Sequence, residues 1–232
     1  GTESITPVDK IVGPGNIYVT TAKKKLFGYV GIDMLAGPSE ILIVADNKNN
    51  SDWIAADLLS QAEHDINSRS TLITNDSLFA KKVLKSIDSI LKILPRSKIA
   101  SSSWKKNGNI IIVKNFSNVH KIINQLSPEH LELAIDKPDN FFEKIKNAGS
   151  VFLGRYTPEA IGDYVAGPNH VLPTGSTARF SSGLDVMDFL KKTTFTKCNK
   201  KSLKLVSNQA IKLAEAEGLY GHALSIYMRN KI

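Results

Sequence analysis

Four of the five histidines lie in short polar motifs whose residue types could carry acid–base or metal chemistry. The motifs are Gln61-Ala-Glu-His64, Ser127-Pro-Glu-His130, Gly162-Asp163-Tyr-Val-Ala-Gly-Pro-Asn-His170 and Glu217-Gly-Leu-Tyr-Gly-His222. Histidine titrates near neutral pH, and its neutral imidazole binds zinc. Its repeated placement beside Glu, Gln and Asp predicts an active site that combines a metal ion with a base.

Gln61 and His64 are three residues apart on a helix that we predict from Ser51 onward. Side chains at this spacing project from one face of a helix, so the two could share a metal ion. Glutamine is an uncommon ligand, however, and the same spacing also occurs on helix surfaces and in satisfied cores. The spacing alone leaves both interpretations open.

Glu129 and His130 precede a predicted strand, Leu131 to Ile135. An imidazole can accept a proton from an alcohol, and a neighbouring carboxylate can polarise a water molecule. The alternative is a turn in which the carboxylate of Glu129 caps backbone amides. The residues themselves do not decide between these two interpretations.

Asp163 and His170 flank a glycine–proline loop that could bring both side chains to a common centre. Asp163 could be an oxygen ligand, and His170 could donate a hydrogen bond to an anionic group. His222 lies five residues beyond Glu217, which is too far for one straight helical face. We therefore expect a bend or a new helix start at Gly218 or Gly221.

Two glycine-containing turns complete the candidate set. The loop Gly13-Pro-Gly-Asn16 precedes a predicted helix, Ile17 to Phe27, and is consistent with either an anion-binding helix N-terminus or a tight turn. Ser39 lies in Ala36-Gly-Pro-Ser39-Glu40, a turn into a strand. No base is evident beside Ser39, which disfavours a serine nucleophile.

The elements that must position these residues alternate along the chain. Short β-branched runs are Ile41 to Ala45, Ser70 to Thr74, Asn109 to Val113, Leu131 to Ile135 and Ser150 to Gly154, and amphipathic stretches are 51–64, 77–94, 119–125 and 138–148. This pattern predicts an α/β fold, a Rossmann-like layered domain with a parallel sheet, plus a small helical C-terminal module of three helices. Ligands of such sheets bind beyond the carboxyl ends of the strands.

Composition narrows the class of protein. The 232 residues are 42% hydrophobic, enough for a sizeable core, and a single cysteine excludes an internal disulfide. The net charge of +8 is mostly scattered lysine, which indicates a solvated face and disfavours a nucleic-acid partner. No apolar run is long enough for a membrane span, so we expect no membrane partner and a cytoplasmic location. Because the sequence starts at Gly1 rather than at a methionine, we expect that it begins within a longer protein.

Taken together, the motifs closely resemble those of histidinol dehydrogenase, in family order over essentially the whole chain. The matching segments are Val8 to Asn16, Asp33 to Glu40, Leu58 to His64, Ser127 to His130, Gly162 to Thr174 and Glu217 to His222. The resemblance implies zinc-dependent oxidation of L-histidinol to L-histidine through the aldehyde, with two NAD⁺ consumed in succession. This reaction is the last step of histidine biosynthesis.

Matching to the family motifs also implies roles for individual residues. The implied zinc ligands are Gln61, His64, Asp163 and His222. His130 would be the general base for the alcohol proton, Glu129 would activate the water that hydrates the aldehyde, and Asn16 would contact NAD. The implied substrate-binding set is Ser39, Gln61, His64, Glu129, Asp163, His170, Glu217 and His222.

The resemblance further implies a homodimer in which the C-terminal module of one chain completes the site of its partner. We then expect residues 1–36 to end a second, NAD-side Rossmann-like domain, 37–183 to form the main domain, and 184–232 to form the helical module. Family members carry a further N-terminal portion of similar size. The alternative function is therefore a truncated, noncatalytic metal-binding or scaffold remnant of the enzyme.

Overall fold

A computed structural model describes residues 1–230 of the chain. Its strands are β1 (Lys10–Ile11), β2 (Gly31–Ile32), β3 (Glu40–Ala45), β4 (Arg69–Thr74), β5 (Asn109–Ile112), β6 (His130–Ala134) and β7 (Ser150–Leu153). Its helices are α1 (Ile17–Leu26), α2 (Ser51–Ala62), α3 (Ser77–Ile90), α4 (Ser97–Asn107), α5 (Val119–Leu126), α6 (Pro138–Phe142), α7 (Glu159–Tyr164), α8 (Lys200–Ala216) and α9 (Tyr220–Asn230).

The central sheet is parallel, with five strands in the order β5-β4-β3-β6-β7. In its register Ile41 lies opposite His130, and His130 lies opposite Ser150. The predicted α/β class with a parallel sheet is therefore confirmed. The register also aligns the beginnings of β3, β6 and β7 along one edge of the sheet.

Alternating strand residues form a separate core on each face of this sheet. Ile41, Ile43 and Ala45 pack on the face covered by α2 and α3, whereas Leu42 and Val44 pack on the face covered by α5. Each fully buried Leu or Ile side chain contributes about 1.5–3 kcal/mol to folding. Because strand side chains alternate, the face under α2 also receives the side chains of β6 at even-numbered positions.

Several helical predictions differ from the structure. Helix α3 ends at Ile90 and α6 at Phe142, both earlier than predicted, and neither α4 at Ser97–Asn107 nor α7 at Glu159–Tyr164 was predicted. The serine-rich sequence of α4 has low helix propensity, but its buried Ala100 and Ser103 pack beside the core. Tertiary burial therefore outweighs the local preference there.

The segment before the central sheet is held together by a buried ion pair. Strand β1 pairs in parallel with β2, and the Lys23 Nζ atom lies 2.7 Å from Asp33 Oδ1, with both side chains almost fully buried. Asp33 also accepts a hydrogen bond from the amide of Gly13 at 2.7 Å, and Lys23 donates to the carbonyl of Gly13. These contacts fix the start of the glycine loop that leads into α1.

The C-terminal part consists of α8 and α9 rather than three helices. Its first section, 190–199, contains Thr193, Thr194 and Thr196 and forms no helix, in keeping with the low helix propensity of β-branched residues. Asn199 then caps α8 through a capping box. Gly218 has a φ of +74° and separates the two helices, so the predicted break between Glu217 and His222 is confirmed.

Internal contacts divide the chain into two compact units, Gly1–Phe189 and Leu190–Ile232. The finer boundaries after residues 36 and 183 stay predictions. Within the described residues, no helix combines the length and hydropathy needed to cross a membrane.

Candidate active site

The predicted catalytic residues lie at the amino edge of the central sheet. His130 is the first residue of β6, Glu129 precedes it, and Glu40 begins the neighbouring strand β3. The expectation that the site lies beyond the carboxyl ends of the strands is therefore wrong for these residues. Helices α2 and α7 follow β3 and β7 and run back toward the amino edge of the sheet. The polar residues of these two helices therefore also lie at that edge.

His130 is held by a main-chain group of the adjacent strand. Its Nδ1 atom lies 2.9 Å from the carbonyl oxygen of Glu40, which can only accept a hydrogen bond. Nδ1 therefore carries the ring proton, and Nε2 has the free lone pair. Burial lowers the pKa of His130 below its ordinary value, which favours the neutral ring. The buried Nε2 has no hydrogen-bond partner among the described residues.

Glu129 is attached to the same residue of β3. Its Oε2 atom accepts a hydrogen bond of 2.8 Å from the amide of Glu40. Burial and the nearby carboxylates of Glu40, Glu159 and Asp163 together raise the pKa of Glu129 to about 8, despite that hydrogen bond. The capping alternative and the acid–base interpretation are thus compatible, since one carboxylate has both a backbone contact and a perturbed pKa.

A close approach of the chain behind Glu129 requires glycine. A Cβ atom at Gly149 would lie 2.6 Å from the carbonyl oxygen of Glu129. The amide of Ser150 donates a 2.8 Å hydrogen bond to that same oxygen. Any larger residue at 149 would displace the main chain that carries the two candidate catalytic groups.

Helices α2 and α7 meet over the face of β6 that carries His130. The Nε2 atom of Gln61, on α2, donates a 2.6 Å hydrogen bond to Oε2 of Glu159, the first residue of α7. The Oε1 atom of Glu132, two residues after His130 on β6, accepts a 2.7 Å hydrogen bond from the amide of Glu159. Asp163 follows Glu159 by four residues and lies on the same face of α7.

Buried carboxyl groups surround this contact. Burial and the carboxyl group of Asp163 together raise the pKa of Glu159 to about 7. Burial also raises the pKa of Asp57 to about 7, and that of Glu132 well above its usual range. The interior of the site therefore holds several carboxyl groups that favour a proton or a cation as partner.

His130, Glu159 and Asp163 form a group that could hold a metal ion, since one ligand atom from each lies within 4.8 Å of the others. Three buried atoms around it, Gln61 Oε1, His130 Nε2 and Glu159 Oε1, have no hydrogen-bond partner within residues 1–230. Unpartnered buried nitrogen and oxygen atoms of this kind fit a divalent cation such as zinc. The group shares Asp163 with the predicted ligand set.

The structure places His64 and His170, two further predicted residues, near this centre. His130, Asp163 and His170 line one cavity of about 190 Å³. His64 is exposed just beyond the end of α2. Burial is the main cause of the lowered pKa of His130, and His64 and His170 lie near enough to contribute to it, so both are neighbours of the predicted base.

Asn16 and Ser39 line a second cavity, of about 450 Å³, together with Asp65 and Asn67. Asn16 is the N-cap of α1, and its side-chain oxygen accepts hydrogen bonds from the amides of Tyr18 and Val19. Its side-chain amino group stays available to a ligand. The two predicted binding residues are therefore brought together, although they are 23 positions apart in the sequence.

Glu217 and His222 lie in the C-terminal unit, where both are exposed. Glu217 ends α8, and His222 is in the first turn of α9. Exposure of both side chains leaves them available to a site outside their own unit.

A larger cavity, of about 610 Å³, lies at the opposite, carboxyl edge of the sheet and contains none of the predicted site residues. Two of its acidic side chains are already paired. Arg155 contacts Asp46 at 2.5 Å and Asp136 at 3.0 Å, and Lys48 also contacts Asp136. We therefore assign the chemistry to the amino edge.

The motifs in the sequence did not reveal Glu159 or the role of Glu40. The main-chain contacts of Glu40 carry no side-chain signature and depend on strand pairing. Glu159 did have a signal, because it lies four residues before Asp163 and follows Pro158, a common residue at a helix start. That spacing places two carboxyl groups on one helix face.

The fold and this edge of the sheet together define an α/β unit with a candidate acid–base pair, Glu129 and His130, and a group that could hold a metal ion. Residues 1–230 match the family model for histidinol dehydrogenase. The chain is 58% identical over 229 residues to histidinol dehydrogenase 1 of Trichormus variabilis and 56% identical over 230 residues to histidinol dehydrogenase of Rhodospirillum rubrum. In both comparisons 99% of this chain is aligned with 53% of the relative.

A solved structure gives the same result. The crystal structure of histidinol dehydrogenase from Elizabethkingia anophelis is 44% identical and superposes with a TM-score of 0.91, covering all of this chain and 53% of that one. The chain belongs to the histidinol dehydrogenase family, as its motifs predicted. It spans about half the length of the curated relatives that it matches.

Proposed function

We propose that the protein is the part of a histidinol dehydrogenase that contains most of the zinc and substrate site. The reaction is the NAD-linked, four-electron oxidation of L-histidinol to L-histidine through L-histidinal. The observation that carries this proposal is the orientation of His130, whose Nδ1 is hydrogen-bonded to a carbonyl and whose buried Nε2 has no hydrogen-bond partner in residues 1–230 and lies 3.5 Å from Oε1 of Glu159. A neutral imidazole held in this way is suited to accept a proton from an alcohol.

In this proposal zinc is held by Gln61, His64 and Asp163, together with His222 of a C-terminal unit. The unpartnered Oε1 of Gln61 and the carboxyl group of Asp163 support a cation at this position. The ion would orient the alcohol and withdraw electron density from its oxygen. Ser39, His170 and Glu217 complete the proposed substrate contacts.

In the first oxidation, Nε2 of His130 takes the hydroxyl proton of L-histidinol. Bound NAD⁺ would accept a hydride from the carbon that bears this hydroxyl group, and the product would be the aldehyde. The backbone carbonyl of Glu40 can stabilise the imidazolium that results, because it accepts the hydrogen bond of Nδ1 throughout.

In the second oxidation, the ionised carboxylate of Glu129 takes a proton from water as the water adds to the aldehyde, and the imidazolium of His130 returns its proton to the aldehyde oxygen, which gives a neutral hydrate. His130 then takes a hydroxyl proton from the hydrate, and a second NAD⁺ would accept the hydride, which gives the carboxylic acid. Glu129 and His130 lie side by side, with Oε2 and Nδ1 3.6 Å apart, so both steps can act on one bound substrate.

We assign NAD to the side of the site that contains Asn16. The N-terminus of α1 and the adjoining cavity of about 450 Å³ support an anionic ligand there. The exposed Glu217 and His222 support a homodimer in which the C-terminal unit of one chain completes the site of its partner. A cytoplasmic location is part of the same proposal.

NADH formation with L-histidinol and the zinc content of the protein test the proposal. Both are measured for this chain and for a form extended to the length of its relatives. Turnover by the longer form supports the assignment. Absence of turnover and of stoichiometric zinc in both forms would favour the noncatalytic alternative, which the formed acid–base pair at present disfavours.

A further inference from the structure

The amide of Gln61 has only one orientation that suits a metal ion. An amide nitrogen does not ligate zinc, whereas an amide oxygen does, so a ligand role for Gln61 requires Oε1 to face the ion. Rotating the amide by 180° exchanges the two atoms with little change in shape. Some neighbouring group must therefore fix the rotation.

We infer that Glu159 is a positioning residue that fixes the amide of Gln61, with Oε1 directed into the metal site. The inference rests on the proposed ligand role of Gln61. Oε2 of Glu159 accepts the 2.6 Å hydrogen bond from Nε2 of Gln61, and Oε1 of Gln61 is left buried and without a partner. The inverted amide would instead set its oxygen against an oxygen of Glu159.

Burial makes this contact strong. Gln61 and Glu159 are each about 1% exposed, so water cannot replace either partner. Loss of either partner would leave the other buried without a hydrogen bond. The carboxylate also raises the electron density of the amide oxygen, because the amide is polarised by the hydrogen bond at its nitrogen.

Glu159 is itself fixed by β6. Its amide donates to Oε1 of Glu132, so the start of α7 is tied to the strand that carries His130. This attachment links the ligand on α2 to the catalytic strand through a single residue. Partners of this kind behind metal ligands typically contribute 10- to 100-fold to metal affinity.

Zinc affinity of the whole chain, measured by chelator competition, tests the inference. Glu159→Gln should weaken zinc binding 10- to 100-fold, because an amide at 159 can pair with either orientation of Gln61. The exchange Gln61→Glu with Glu159→Gln should restore affinity to within a few-fold, since it keeps an amide–carboxylate hydrogen bond and presents a carboxylate oxygen to the ion. A purely structural role for Glu159 predicts no such restoration.

Asp136→Asn is the control, because it removes a carboxyl group at the opposite, carboxyl edge of the sheet, where Asp136 pairs with Lys48 and Arg155, and it should leave zinc affinity close to that of the wild type. Cobalt provides a second readout. At saturation, the Co²⁺ d–d absorption of Glu159→Gln should match that of the unaltered chain, because the ligands are the same. A changed band would identify Glu159 as a direct ligand and overturn the positioning role.

A measurement on the metal-free protein keeps the inference testable even if the glutamine variant folds poorly. The side-chain amide protons of Gln61 should exchange slowly with solvent in ¹⁵N NMR spectra of the unaltered apo chain and faster in Glu159→Asp. Equal zinc affinity in the unaltered chain and Glu159→Gln overturns the inference alone. Failure of the unaltered chain to bind zinc overturns the metal part of the proposed function, and the inference with it.

Discussion

His130 and Glu40 are 90 residues apart in sequence, yet the imidazole Nδ1 of one lies 2.9 Å from the main-chain carbonyl oxygen of the other. The same Glu40 donates its amide to Glu129 at 2.8 Å. One residue of β3 thus orients both candidate catalytic side chains through its backbone. Substitution of the Glu40 side chain would leave these two contacts in place.

His130→Asn should abolish hydride transfer while zinc stays bound. An asparagine amide can still donate to the carbonyl of Glu40, but it offers no basic nitrogen for the alcohol proton. We expect kcat to fall by about 10²–10⁴-fold, the usual contribution of a general base. The measurement is NADH formation together with zinc content, in the form of the protein that turns over L-histidinol. Loss of zinc from this variant would contradict the division between base and ligands.

Glu129→Gln should impair the oxidation of L-histidinal more than that of L-histidinol, because the carboxylate is needed to activate water. The pKa of about 8 also predicts a pH dependence. Glu129 must be ionised to act, and at pH 7 only about a tenth of it is ionised. The rate of aldehyde oxidation should therefore rise as the pH passes through about 8 and then level off.

The pH profile of kcat/KM for L-histidinal is the decisive measurement for Glu129. The glutamine variant serves as its own control, since it should lose the rise near pH 8 along with most of the rate. A rise of the same size in Glu129→Gln would assign the titration to another group.

His222→Asn should lower zinc affinity, and mixing it with His130→Asn should restore part of the activity. If each site takes His130 from one chain and His222 from the other, every mixed dimer has one intact site. Random pairing of equal amounts then gives about a quarter of the wild-type sites. The readout is NADH formation before and after the two variants are unfolded and refolded together.

An inactive mixture would rule out sharing of the site between subunits. The matched control refolds each variant by itself, which should leave it inactive at every protein concentration. Recovery in a single variant would point to contamination or reversion rather than to exchange of chains.

Asp33→Asn should destabilise the first unit by about 3–5 kcal/mol, because it leaves the charge of Lys23 buried and uncompensated. Burial alone raises the pKa of Asp33, but its hydrogen bonds from Lys23, Gly13 and Met34 outweigh burial and lower the pKa overall. The stabilisation that the ionised Asp33 contributes is therefore fully present above the pKa of about 3.9 that the group has in the unfolded chain. It is lost as the pH falls through the lower pKa of the folded state.

Urea unfolding of the two proteins at a series of pH values tests this. The difference in the free energy of unfolding should be largest near neutral pH and should shrink below about pH 4. Asp136→Asn is the control, because its ion pair with Lys48 is exposed and its removal should change little. A difference that persists unchanged at low pH would show that the effect comes from packing rather than charge.

The periodicity of the sequence predicted the five strands of the central sheet to within about one residue, because β-branched runs of this length are typical of strands buried on both faces. The motifs predicted Gln61, Asp163 and His130 as site residues, and the structure brings all three to one edge. The sequence pattern could not show at which edge of the sheet the site lies, because that depends on the direction in which α2 and α7 run back along the sheet. Nor could it reveal Glu40, whose contribution is made entirely by its peptide groups.

The end of β3 opposite the site has a practical use. The five residues after Glu40 in this strand span about 17 Å at 3.3 Å per residue, so the loop that follows Ala45 is separated from the chemistry by the full height of the sheet. A peptide epitope inserted between the exposed residues Asn47 and Lys48 would sit on that far rim. The protein could then be tethered to a surface or followed by a fluorophore while the edge that carries the candidate site stays unobstructed.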